Sequence, residues 1–260
     1  MTRSGTLFEG LTATEGQDET AIGAGGLTLT TQAGVEVTQN DAVGWTDLAD
    51  TTDASTDHFT KAGSGTLRLT ARNTYSGALR LTEGTLILGK ADGSSTAATA
   101  TLGGQGEIVT GENTHFVVNL SDGATTQSTV LEDGNEIHQG RFVLNRAMSG
   151  GASFTQAGTG TTILMGQNTY TGSTTITQGT LEVGHYSDAT LGGTGVITNN
   201  GTLRYSLNHD LTLERAIVGT GTFENRGVDD TTLTLTGENT FTGDVYATSG
   251  TLRVTSLGAL

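Results

Sequence analysis

An all-β solenoid is the fold class the sequence predicts. Three observations lead to it: one stretch recurs three times, its apolar residues alternate, and the composition lacks the material of a globular core. Residues 154–184, FTQAGTGTTILMGQNTYTGSTTITQGTLEVG, match residues 59–89, FTKAGSGTLRLTARNTYSGALRLTEGTLILG, without a gap at an offset of 95, with 16 of 31 positions identical. Residues 233–254, LTLTGENTFTGDVYATSGTLRV, repeat the later part at an offset of 71.

The kept positions define the unit. Leu67 and Leu69, Leu79 and Leu81, Leu86 and Leu88 alternate with their neighbours, and Leu164, Ile176, Leu181 and Val183 or Leu233, Leu235, Val245, Leu252 and Val254 stand in the corresponding places. A period of two marks strands with one buried face, so each unit reads as three short strands joined by turns. The turns carry Asn73, Asn168 and Asn239, each followed by Thr and an aromatic residue (Tyr75, Tyr170, Phe241). Asn and Gly accept positive φ, which suits them to such turns. The two offsets differ by 24 and both lie near multiples of one period, so a coil of about 24 residues, roughly 11 coils and a rod on the order of 50 Å follow as expectations.

Composition narrows the function. The chain holds 40 Gly, no Pro and no Cys, with 33% hydrophobic and 5% aromatic residues. Threonine is its commonest residue and suits pleated surfaces. Such a chain cannot fill a large core, and its alternation is too regular for disorder, so a thin elongated β core is the consistent solution. Lys and Arg number 12 against 27 Asp and Glu, a formal net charge of −15. A nucleic-acid groove or an anionic membrane surface needs clustered positive charge, and nucleic acid is therefore excluded as a partner. No apolar run approaches the length of a membrane helix, and no signal peptide is legible. The sequence is accordingly read as one β-helical unit, 1–260, excised from a longer protein.

Taken in order, residues 1–40 alternate weakly and read as degenerate coils. Residues 41–57 break the pattern, with Asp41, Asp47, Asp50, Asp53 and Asp57 around Trp45. They read as an acidic projecting loop without the Gly turn and terminal Glu of a calcium loop. Residues 90–100, rich in small side chains, are a second expected projection. TLGGQGEI at 101–108 recurs as TLGGTGVI at 190–197, at an offset of 89 because the spacers differ in length. Spacers vary where strands do not, as loops on a fixed scaffold do. Residues 109–153 are the least repetitive, yet LNRAMSGGASF at 144–154 aligns with LERAIVGTGTF at 213–223. Arg146 and Arg215 occupy matching places there and read as surface residues pairing with acidic neighbours.

Chemical motifs are sparse. The glycine-rich segments lack the Asp of calcium-binding nonapeptides, and neither a nucleophile elbow, a phosphate loop nor HExxH is present. His58, His115, His138, His185 and His209 do not recur at the repeat interval. Asp229 and Asp230 are adjacent, and neighbours on a strand point to opposite faces, so they read as a turn rather than as a glycosidase pair. No catalytic residue, metal ligand or cofactor is assigned.

Residues 158–183, GTGTTILMGQNTYTGSTTITQGTLEV, resemble the autotransporter-associated β-strand repeat, and the other two units share the likeness. The first departs at Ala71, where the others have Gly166 and Gly237, and the third at Ala247. The resemblance implies a right-handed parallel β-helix, the passenger of a type V secretion system, exported unfolded and displayed on a Gram-negative cell. Absence of cysteine fits threading through the outer membrane. Its membrane contact would be a β-barrel absent from these 260 residues. The implied function is a non-enzymatic adhesin or self-associating stalk for aggregation and biofilm, with host-surface or matrix glycans and proteins, or itself, as partner. The alternative is a polysaccharide lyase or hydrolase on the same scaffold. An enzyme should show a non-repeating acid/base cluster, usually with Lys or Arg, and Lys61 and Lys90 are the only lysines.

Overall fold

A computed structural model describes residues 20–21, 27–40, 43–44, 58–73, 75, 77–104, 106–123, 129–130, 136–138 and 141–255. These residues form a parallel β-helix without a helical segment. The first face is a sheet of Leu27–Thr30, Phe59–Ala62, Leu79–Leu81, Ile108–Thr110 and Met148–Gly150. The second runs through eight strands: Glu36–Gln39, Thr66–Leu69, Thr85–Leu88, His115–Val118, Ser153–Gln156, Thr174–Ile176, Ile197–Asn199 and Ile217–Val218. On the third lie Arg141–Leu144, Thr161–Leu164, Thr180–Ser187, Thr202–Leu207, Thr222–Arg226 and Val245–Ser249. An antiparallel pair, Thr129–Val130 and Glu136–His138, extends that sheet. In the later coils Leu211–Leu213, Thr232–Leu235 and Thr251–Val254 add a fourth sheet.

Register shows how the sequence repeat becomes a coil. Leu67 pairs with Leu86, 19 residues on, and Phe59 with Leu79, 20 on. Thr174 pairs with Ile197, 23 on. Spacings of 29 to 40 occur where segments are inserted, as between Leu79 and Ile108 or Ile108 and Met148. The regular coil is thus shorter than the expected 24. Each unit holds four strands rather than three, since Phe59–Ala62 and Ser153–Gln156 belong to it. It makes one turn and overlaps itself, so its first strand pairs with its third and its second with its fourth. The first unit does this on faces one and two, the second on faces two and three, and the third on face three and the fourth sheet. Successive copies are offset by whole coils plus one face, which is why neither 95 nor 71 is a multiple of the coil.

Inward residues stack in columns. On the second face Leu67, Leu86, Phe116, Phe154, Thr174, Ile197 and Ile217 succeed one another in register, and none is more than 1% exposed. Each unit also buries one aromatic pair: Phe59 with Tyr75 at 5.6 Å between ring centroids, Phe154 with Tyr170 at 6.3 Å, Phe223 with Phe241 at 6.1 Å, all tilted by 35–36°. Offset or tilted rings place edge against face, the favourable geometry for their quadrupoles. Burial pushes the Tyr170 phenol up to about 12, so it stays a neutral hydroxyl 2.8 Å from Thr174 Oγ1.

The turn asparagines are a correction. Among the described residues only Asn113, His185 and Tyr186 are non-glycine residues with positive φ, whereas Asn73, Asn168 and Asn239 are buried. Their amides bind backbone instead. Asn168 Nδ2 donates to the carbonyls of Gly166 (3.0 Å) and Thr190 (2.8 Å), and its Oδ1 accepts from Met148 N (3.0 Å). Asn239 repeats the pattern with Gly237 O at 3.0 Å and Ile217 N at 2.8 Å. Asn is kept because a corner without ladder partners needs a donor and an acceptor on one short side chain.

Arg146 and Arg215 are the second correction. Arg146 is buried rather than at the surface, and both guanidinium groups bind carbonyls of the glycine segments of the neighbouring coil. Arg146 donates to Gly103 O (2.5 Å) and Gly106 O (3.3 Å), and Arg215 to Gly195 O (2.6 Å) and Gly192 O. Gly103 and Gly192 are themselves pressed on the rings of Tyr75 and Tyr170, where an added Cβ would stand 2.4 Å from a ring carbon. The shared TLGG and LxRA segments are therefore parts of one recurring corner.

Lys61 supplies a third recurring device. It lies between Leu29 and Leu81 in an inward column, fully buried, and donates to the carbonyls of Ala62 (3.1 Å), Gly63 (2.5 Å) and Glu83 (2.8 Å). Gln156 holds the same place in the second unit and donates to Gly158 O (2.8 Å) and Gly160 O (3.1 Å). Burial lowers the Lys61 pKa, with Glu83 opposing, so the fold disfavours the charged form of this side chain. Lys61→Gln should therefore melt no lower than the parent. A fall of more than about 4 °C, roughly 1 kcal/mol or more at this size, would show that the charge itself holds the corner.

Candidate binding surface

Because the recurring Asn, aromatic, Gly and Arg residues are spent inside, the outward positions make up the surface open to a partner. On the third face Glu182, Arg204, Glu224 and Tyr246 occupy one outward row in direct register. Arg204 bridges its neighbours, 3.0 Å from Glu182 Oε2 and 2.7 Å from Glu224 Oε2, and Arg226 adds a contact of 3.0 Å to Glu224. Burial opposes ionisation of Glu182, but hydrogen bonds from His185 and Arg204 and the Arg204 charge outweigh it and hold the carboxyl below its ordinary value of 4.5. Glu182 is only 3% exposed. It points outward yet is packed, contrary to a freely solvated position.

A bulge crowns this row. The register with Thr202–Leu207 slips between Gly184 and Ser187, and two consecutive residues there, His185 (φ 117°) and Tyr186 (φ 62°), have positive φ. For bulky residues this conformation is costly and persists only where surroundings enforce it. His185 Nδ1 lies 3.1 Å from Glu182 Oε1. The His185 and Tyr186 rings sit 5.4 Å apart, and Tyr186 is 56% exposed. With Tyr246, 48% exposed and bonded to Asp244, the third face presents aromatic edges beside a charged ladder. Sequence reading missed this group. The signal was available: Glu182, Arg204 and Glu224 alternate in sign at intervals of one coil, which is visible only once the coil length is known.

The expected projections divide. Residues 41–57 lie outside the described residues except for Val43–Gly44. In residues 90–100, Lys90, Ala91, Asp92, Ser94, Ala98 and Thr99 are exposed, whereas Ser95, Ala97 and Ala100 are buried and Thr96 bridges to Ser121. The tip faces solvent and the rest belongs to the scaffold. His115 lies 2.5 Å from Ser153 Oγ and His209 3.7 Å from Asp188. His58 is half-buried, and the His138 side chain lies outside the description. Asp229 and Asp230 are exposed in a turn, where Asp229 accepts from Ser249 Oγ at 3.0 Å. Among the described residues no three His, Cys, Asp or Glu are grouped to hold a metal.

Comparison with known proteins agrees with this architecture. The family model described as the passenger-associated-transport-repeat matches residues 59–88, 154–183 and 229–254, which cover the first two overlapping turns and the later three strands of the third. A similar protein, the Adhesin BmaC autotransporter of Brucella suis biovar 1 (strain 1330), is 31% identical over 234 residues, covering 72% of this chain and 7% of that protein. The chain thus corresponds to a small part of its relative's length. No solved structure matches it. The chain belongs to the autotransporter passengers that carry passenger-associated-transport repeats, proteins exposed on the surface of Gram-negative bacteria.

Proposed function

We propose that this chain is a non-enzymatic adhesive stalk, whose coils give reach while outward side chains make many weak contacts with host or matrix molecules and with copies on neighbouring cells. The observation that supports it most is the division of labour in the fold. The recurring Asn and aromatic side chains are buried and the recurring Arg side chains are bound to backbone carbonyls, so the outward positions are left to vary with the partner. The relative named an adhesin supports the same reading. Aggregation and biofilm formation would follow from many displayed copies, each contact adding by avidity.

The exposed tip at residues 90–94, the His185–Tyr186 bulge and the outward row of the second face from Ile87 to Val218, which carries no Asp, Glu, Lys or Arg, are the surfaces offered for contact. A formal charge of −15 opposes contact at low ionic strength, and the screening length falls to about 8 Å at 0.15 M salt. Microspheres coated with the chain should therefore clump, or attach to matrix proteins and glycans, more in physiological salt than in dilute buffer. Spheres that neither clump nor attach, while the chain releases unsaturated or shortened sugars from a polysaccharide, would replace this reading with a lyase or hydrolase.

A further inference from the structure

Charge is segregated around the solenoid. On the second face Ile87, Val117, Thr155, Thr175, Thr198 and Val218 form one outward row in continuous register, each partly exposed. Thr85, His115 and Ser153 begin the row on one side of it, continued by Ser173, Val196 and Ala216. Asn119, Thr177 and Asn200 lie on the other side. Of the chain's 12 Lys and Arg and 27 Asp and Glu, none stands in these rows. The same outward row on the third face carries Glu182, Arg204 and Glu224. The neutral strip ends toward the N-terminal coils at Arg68, which binds Glu36 at 2.6 Å.

We infer that this strip is where two copies of the chain meet, an inference that rests on the self-associating arm of the proposed function. Copies of so acidic a chain repel one another over most of their surface, and like charges placed opposite each other at an interface cost several kcal/mol. The neutral strip lets them approach without that cost. Its side chains are suited to contact: β-branched residues are stiff at χ1, so little rotamer freedom is lost. Thr and Asn offer both donors and acceptors, which makes the strip complementary to itself about a two-fold axis.

The dimensions set the strength. Six strands span about 24 Å, and three outward rows about 13 Å. That is roughly 300 Å² per copy, well below the roughly 800 Å² per partner of a stable complex. One pair therefore holds weakly, and clumping requires arrays of copies.

The test uses microspheres coated with the chain, in 0.15 M salt. Spheres carrying Thr175→Glu should clump about tenfold more slowly than parent spheres, roughly 1.4 kcal/mol per contact, and so should Thr175→Lys spheres. Mixed together, the Glu and Lys spheres should clump again, a rescue that no folding defect produces. Thr212→Glu, at an exposed outward position of the fourth sheet, should leave clumping unchanged. If parent spheres clump and both Thr175 variants clump equally well, the strip is not the contact and the adhesive reading stands on another face. Parent spheres that attach to matrix glycans or proteins but never to each other would overturn the second copy as occupant.

Discussion

Leu181→Asp should abolish the cooperative melting of the central coils. Leu181 is wholly buried, stacked in register between Thr162 and Leu203, with no counter-charge in its column. Truncating a buried leucine costs about 2–5 kcal/mol from lost contacts and the cavity. Forcing a carboxylate into that dry column costs several kcal/mol more, or raises its pKa until it is neutral. The sum is comparable with the whole stability of a typical domain, about 5–15 kcal/mol. Solenoid stability is nearly a sum over neighbouring coils, so the loss should appear first as protease sensitivity around residues 160–205. A variant that melts cooperatively within a few degrees of the parent would mean that Leu181 does not face inward.

Glu182→Lys, one residue along the same strand, should also destabilise, for a different reason. An outward position on a β-helix is expected to tolerate charge reversal, but Glu182 is packed against Arg204 and His185. Reversal sets Lys against Arg204, a guanidinium only 12% exposed that keeps Glu224 as a partner. Leaving a buried charge wholly unpaired costs about 3–5 kcal/mol, and the retained Glu224 contact puts this loss toward the lower end. Glu182→Gln, which keeps an acceptor, should cost less. The carboxylate's folded-state pKa is depressed, so its stabilisation is present above the unfolded value and is lost as pH falls through the folded one. The parent should thus lose stability below about pH 4.5 more steeply than Glu182→Gln does. Identical acid limbs in thermal melts would remove the ladder from the account.

Much of this fold is legible in the sequence because its columns obey a period of two and its units repeat. Leu67, Leu86, Leu181 and Leu252 are recognisable as inward residues from alternation alone. The strand at Phe59 escapes because F-T-K-A offers one inward apolar residue, its second inward position being filled by Lys61. Coil length is misread because 95 and 71 include a step of one face, which only pairing reveals. Asn168 and Arg215 look like turn and surface residues until their backbone partners in neighbouring coils, 20 or more positions away, are known. The charged ladder and the neutral strip are patterns between coils, and no local window of sequence contains either.

The central claim, that each unit winds about 20 residues per turn and stacks on itself, is tested by cross-linking. The chain has no cysteine, so pairs can be introduced without background. Thr155 and Thr175 are paired on adjacent strands, about 4.8 Å apart, within the range a disulfide spans. Thr155 and Thr198 are two strands apart, about 10 Å, beyond it. Under mild oxidation the 155/175 cysteine pair should close to an intramolecular bond, while 155/198, and 155 with 179 at the 24-residue interval, should remain free thiols. Closure of 155/179 in place of 155/175 would contradict the register on which the whole account stands.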